Sequence, residues 1–180
     1  MQLDEEQHGI ESAIRLGQYR DQLELVVSAA TRYYELSPAL QRHGPVVVHF
    51  SGHGSGTGGI VLSDDDRYPV AVPPLALANT FRLLGHGIRC VVLNACFTWP
   101  QAEAIGRHVP CVVGTSGKID DSLAIEFAHG FYGAAANGQP IGKAVELGRN
   151  QFDLSDRRGS DAIVLIDRPE GVASTLCLHD

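Results

Sequence analysis

Basic residues are scarce in this chain, and the scarcity limits what it can bind. Lys and Arg number 14 against 21 Asp and Glu, giving a net charge of −7. Those few cations are scattered, so the electropositive patch of a general nucleic-acid binder is missing. Long apolar runs are missing too, since no stretch approaches the roughly 18 residues of a membrane span. The opening, MQLDEEQHGI, is acidic and reads neither as a signal peptide nor as a basic targeting segment. These absences predict a soluble, cytoplasmic protein with no nucleic-acid or membrane partner. Repeats and low-complexity tracts are also absent, which removes solenoids and disordered linkers from consideration.

Cysteine is sparse: Cys90, Cys96, Cys111 and Cys177, with no CxxC spacing. A zinc knuckle is therefore not expected, and in a cytosolic chain the thiols should be free. Cys90 and Cys111 lie inside apolar runs and read as small buried hydrophobes. Cys177 is uninformative. Cys96 stands apart, at the end of such a run.

What remains is ordinary globular chemistry, 44% hydrophobic over 180 residues, enough for one domain with a real core. EEQHGIESAIRLGQYR places Ile10, Ala13, Ile14 and Gly17 on one helical face. QLELVVSAA (22–30) reads as a strand, and a short helix follows over 36–43. PVVVHFS (45–51) is a β-branched run of the kind buried on both faces of a parallel sheet. A hairpin is expected over 59–72 and a helix over 73–87, the latter opened by prolines and closed by glycine. Strands are predicted at 88–95, 110–116 and 162–167, with helices from 99, over 121–136 and over 140–153. This alternation indicates an α/β fold whose mainly parallel sheet is covered on both faces. In such folds chemistry gathers beyond the carboxyl ends of the strands.

Two strand ends carry unusual residues, HFSGHG and NACFT. Gly54, Gly56 and Gly59 formally match the G-x-G-x-x-G phosphate fingerprint. That fingerprint needs a helix opening at its last glycine and an acid about 20 residues on, and here GIVLS continues as a strand. The phosphate reading fails.

A nucleophile and its base fit better. Thr98 with Gln101 three residues on reads as a capping box, and the positive end of that helix would favour a Cys96 thiolate. His53, flanked by Gly52 and Gly54, follows its own strand end and can manage the thiol's proton. The N–H groups of Gly54 and Cys96 are candidates for an oxyanion hole. A histidine in a glycine turn is commonly structural and a buried cysteine commonly inert; the weight rests on their standing at matching strand ends. His49 is expected on the opposite face from the last strand residues, as a packing residue rather than the base. His43 and His86 precede glycines near helix ends, while His8, His108, His129 and His179 read as surface or cap residues.

VVVHFSGHG followed by VVLNACFT resembles the CHAT group of caspase-like cysteine peptidases, relatives of caspases, separases and metacaspases. The resemblance runs from about residue 22 to 166. The spacing of the two blocks is close to the roughly 50 residues between histidine and cysteine in caspase-type enzymes. It implies a caspase-like three-layer sandwich, with His53 on the dyad histidine, Cys96 on the nucleophile, and peptide cleavage through a thioester acyl-enzyme. It also implies a regulated role in bacterial-type signalling or defence. The dyad needs no metal or organic cofactor, although calcium assists some relatives. Family members begin with an apolar strand ahead of the acidic LDEE segment, a strand that lies mid-sheet; this chain starts at MQLDEE. The expectation is either a truncated or mis-started chain, or a regulatory protein or second chain that completes the sheet.

Specificity is expected to lie with Asp121 in GTSGKIDDS, because an aspartate follows this strand in the resembling family and relatives prefer basic residues. A buried carboxylate there selects Arg or Lys ahead of the scissile bond. Asp120 or Asp121 could equally cap the following helix, and DDD (64–66) is a weaker rival. The expected function is thus a cysteine endopeptidase cutting after a basic residue. The alternatives are a non-catalytic caspase-like scaffold module and another thiol acyl-transfer enzyme.

Overall fold

The computed structural model describes residues 3–52 and 59–179. Its helices are α1 (Leu3–Leu16), α2 (Leu36–His43), α3 (Pro74–Leu84), α4 (Trp99–Ile105), α5 (Asp121–Ala136) and α6 (Ile141–Leu154). Its strands are β1 (Val47–Ser51), β2 (Val61–Ser63), β3 (Pro69–Ala71), β4 (Cys90–Asn94), β5 (Cys111–Thr115) and β6 (Ile163–Asp167). A four-stranded sheet runs β1-β4-β5-β6, and β2 and β3 form a separate antiparallel hairpin. The first two pairings of the main sheet are parallel, whereas β6 runs antiparallel to β5. The expected α/β sandwich is present.

Alternation along the strands sorts the core into two layers. Cys90, Val92, Cys111 and Val113 face α1, α5 and α6, where Phe127, Phe131 and Phe152 are fully buried. Val91, Leu93 and Val112 face α2, α3 and α4, together with Leu77, Phe81 and Ile105. Each fully buried phenylalanine contributes about 1.5–3 kcal/mol through area removed from water. Both central strands, β4 and β5, are buried along their whole length.

Two strand expectations need correcting. The segment predicted as a strand over 22–30 forms none: residues 23–28 carry no regular structure, and Val26 is half exposed. Its composition suits a strand, but among the described residues it has no neighbour to pair with, and pairing rather than propensity decides strand formation. The run 45–51 does form β1, yet at the edge of the sheet, so its residues are only partly buried. In its ladder with β4, Val46 accepts from Arg89 and Cys90. The alternation of a parallel pair then turns the polar groups of Val47, His49 and Ser51 outward. Among the described residues nothing pairs with them. Nor does any described helix have the length and apolarity to cross a membrane.

Candidate active site

Cys96 lies just past the carboxyl end of β4, on a turn that two threonines lock in place. Thr98 Oγ1 donates to Leu93 O at 3.1 Å and accepts from the Thr115 N–H at 2.9 Å. Thr115 Oγ1 donates to Ala95 O at 2.5 Å and receives the Thr98 N–H at 3.4 Å. Both hydroxyls are buried, so each one's donor and acceptor capacity is used within the turn. The close approach needs a glycine: a Cβ on Gly114 would stand 2.8 Å from the Ala102 Cβ and 3.2 Å from Thr98 Oγ1. Phe97, next after the cysteine, holds a left-handed φ of 55° and donates its N–H to Gly117 O. A left-handed phenylalanine is strained, and such strain gathers at functional sites.

The predicted capping box is not formed. Thr98 occupies the N-cap position of α4 but makes no capping bond, its hydroxyl being spent on the turn. Gln101 instead accepts from the Ile60 N–H at 2.6 Å and donates to Val72 O at 2.7 Å. It thereby ties the hairpin to α4 and fixes the exit of the glycine-rich loop. Gly59 at that exit has φ +110°, and a Cβ there would meet the Gln101 amide at 2.8 Å. The N–H that reaches the Cys96 sulfur comes from the loop before α5, not from α4: Ile119 N lies 3.4 Å from Sγ, with Ile119 O 3.5 Å away. Among the described residues, none takes the Cys96 backbone N–H.

His53 and Gly54 lie outside the described residues. Their strand is described: Ser51, two positions before His53, stands in register with Asn94, two positions before Cys96. Asp121 is the first residue of α5, two positions beyond Ile119, and is partly buried. Asp120 takes the N-cap position with extended backbone and no side-chain capping bond.

His49 points opposite to Phe50, but it shares its face with Val47 and the strand's last residue, contrary to the expectation for it; alternation puts residues two apart on one side. It makes two contacts there. Its Nε2 meets Glu6 Oε1 at 2.9 Å, and its Nδ1 meets the Tyr132 hydroxyl at 3.0 Å. The same Glu6 oxygen accepts from Asn94 Nδ2 at 2.5 Å, and Asn94 also donates to Ala124 O at 3.0 Å. Burial, then nearby Cys90 and Glu6, push the Tyr132 hydroxyl well above its usual pKa, so it keeps its proton. The Glu6 carboxylate can only accept, so Nε2 carries the N–H it receives, and in the neutral ring Nδ1 accepts from the tyrosine hydroxyl. Glu6, Asn94 and Tyr132 were not singled out in the sequence. A signal existed for Glu6, which falls four residues before Ile10 on the helical stripe that buries Ile10 and Ala13. His179 likewise departs from its surface reading, stacking on Tyr19 with ring centroids 3.8 Å apart. Among the described residues no three His, Cys, Asp or Glu side chains gather as a metal site would require.

A curated relative, a probable protease of Gillisia limnaea, is 22% identical over 124 residues. The match covers 66% of this chain but 21% of that relative, so the chain spans a small part of the longer protein. Residues 2–161 match the CHAT domain. With that match over most of its length, on a sandwich that sets a cysteine at a central strand's carboxyl end, the chain belongs to the CHAT family, a group related to caspase-like cysteine peptidases.

Proposed function

We propose that the chain is a cysteine endopeptidase in which Cys96 is the nucleophile and His53 the general base and acid. The observation that carries this reading is the site of Cys96: a strained turn past a buried strand, with one backbone N–H aimed at its sulfur. The thiolate attacks the scissile carbonyl, and the oxyanion takes the N–H groups of Cys96 and Gly54. His53 holds the proton released by the thiol and passes it to the leaving amine, giving a thioester. Water, deprotonated by His53, then hydrolyses the thioester and frees the acid product and the thiol. No step calls on a metal or organic cofactor. Asp121, which opens α5 two positions beyond Ile119, selects Arg or Lys before the scissile bond, and the enzyme works in a regulated bacterial-type signalling or defence pathway.

A strand from a regulatory protein or second chain completes the sheet at β1. What supports this is the outward-facing backbone of β1 together with the unpaired apolar segment 23–28. An edge without charges, prolines or a cover is a ready template for strand addition.

Low-dose iodoacetamide followed by mass spectrometry tests the enzyme reading. Selective labelling of Cys96, lost in His53→Ala, is expected. Labelling of Cys96 no faster than that of the partly exposed Cys177, and unchanged in His53→Ala, would instead indicate a scaffold module.

A further inference from the structure

One carboxylate oxygen joins the two strands that lead to the proposed dyad. Glu6 Oε1 receives an N–H from His49 on β1 and another from Asn94 on β4. In the ladder His49 stands opposite Val92 and Asn94 opposite Ser51, so the tie crosses diagonally between the strand ends. Cys96 follows Asn94 by two positions, and His53 follows His49 by four. We propose that Glu6 is a positioning residue that sets the separation of His53 and Cys96; the inference rests on the dyad reading above.

Three observations support it. Glu6 is only 1% exposed, and a buried carboxylate carries a desolvation penalty of several kcal/mol that an apolar residue on the same stripe would avoid. Stability alone therefore does not account for it. Two further buried acceptors of the cluster, Glu6 Oε2 and Asn94 Oδ1, have no hydrogen-bond partner among the described residues, so the arrangement is kept at a thermodynamic cost. Finally, among the described residues β1 is held laterally by β4 alone, and a tie across its end replaces the second neighbour that β4 and β5 have. Displacing a catalytic group by about 1 Å can reduce a rate about 100-fold.

His49 is engaged at both ring nitrogens and so is not itself a base. The groups facing Glu6 are His49 from β1, Asn94 from β4 and Tyr132 from α5, with the Cys90 thiol beyond the tyrosine. Of these, His49 contributes orientation, Asn94 the link to the nucleophile's strand, and Tyr132 the tautomer.

The test is the pH profile of Cys96 alkylation by iodoacetamide on the full chain, read by mass spectrometry, with circular dichroism to establish folding. An assembled pair gives the wild type a reactivity step on the acid side of the free-thiol range, which centres near pH 8.5. In Glu6→Leu, which removes the shared acceptor, that step should return to the free-thiol range, and the rate at pH 6.5 should fall at least about tenfold. Glu6→Gln keeps an acceptor oxygen for both N–H groups and should retain the step, as should Ile10→Ala, which loosens packing on the same face of α1 without touching the carboxylate. Should Glu6→Leu not fold, a second pair reads the same tie: His49→Gln keeps an N–H for Glu6 and should retain the step, whereas His49→Ala should lose it. A folded Glu6→Leu with the wild-type profile overturns the inference alone, as does loss of the step in Ile10→Ala. A wild type with a single step at the ordinary thiol value overturns the dyad reading and this inference together.

Discussion

Ile119 brackets the Cys96 sulfur with both its backbone polar groups, its N–H at 3.4 Å and its carbonyl oxygen at 3.5 Å. The carbonyl suits the resting thiol, which has a proton to donate, and the N–H suits the thiolate. One residue thus accommodates the sulfur both with and without its proton. Cys96 is only partly buried, as the proposed dyad chemistry requires.

Removing the sulfur should therefore end the chemistry and spare the fold. Cys96→Ala and Cys96→Ser are expected to abolish cleavage of a peptide library while melting within a few degrees of the wild type. His53→Ala should lower turnover by about 100- to 10,000-fold, the contribution of a general base. Wild-type cleavage by any of these purified variants would refute the dyad.

The other buried thiols should behave differently. Burial pushes Cys90 well above the usual thiol range, and burial with nearby Asp167 takes Cys111 up to about 12. In the folded state Cys111 thus keeps its proton from about pH 8.5, where a free thiol loses it, to about pH 12. The folded state binds more protons over that window, so stability should fall as pH rises through it and be unaffected below it. Thermal unfolding across this range checks the sign, and Cys111→Ala should flatten the decline. At neutral pH, Cys90→Ala and Cys111→Ala should each cost on the order of 1 kcal/mol without removing activity.

Gln101 makes a separate prediction. Gln101→Ala leaves the Ile60 N–H and the Val72 carbonyl without their partner, at about 1–3 kcal/mol each if they stay buried. Because Ile60 follows the glycine-rich loop, Cys96 alkylation should slow along with the loss of stability. Gly59→Ala should act alike, since φ +110° and a 2.8 Å contact both exclude a Cβ. Unchanged melting in either variant would contradict the assigned contacts.

For Asp121 the readout is specificity. Asp121→Ala should erase a preference for Arg or Lys before the scissile bond, Arg being favoured for its two-pronged geometry, while iodoacetamide still labels Cys96. Cleavage profiles of the wild type dominated by aspartate or apolar residues would sink the assignment.

Much of this was legible from residue order. The runs 88–95 and 110–116 are apolar throughout because β4 and β5 are covered on both faces, and the glycines and prolines around 73–87 bracket α3 as they should. The helices expected over 121–136 and 140–153 form as Asp121–Ala136 and Ile141–Leu154. What failed was whatever depends on a distant partner. LELVV has the composition of a strand, but pairing is non-local and no neighbour is present among the described residues. Thr98 has the local signature of a cap, yet Thr115, far along the chain, claims its hydroxyl. Glu6 was not singled out, because a charged residue on a helix is usually solvated. Its burial follows from His49 and Asn94, which only the fold brings to it.

The one-sided support of β1 has a consequence for hydrogen exchange. Amides of β4 and β5 are sandwiched between strands and two helical layers, so they should exchange only when the whole domain opens. Those of Val47, His49 and Ser51 face away from the ladder and should exchange through a cheaper, partial opening of the edge. On warming, the strand leading to His53 would then loosen before the strand carrying Cys96. Catalysis should fade some degrees below the melting transition, the thiol still in place while its histidine drifts out of register.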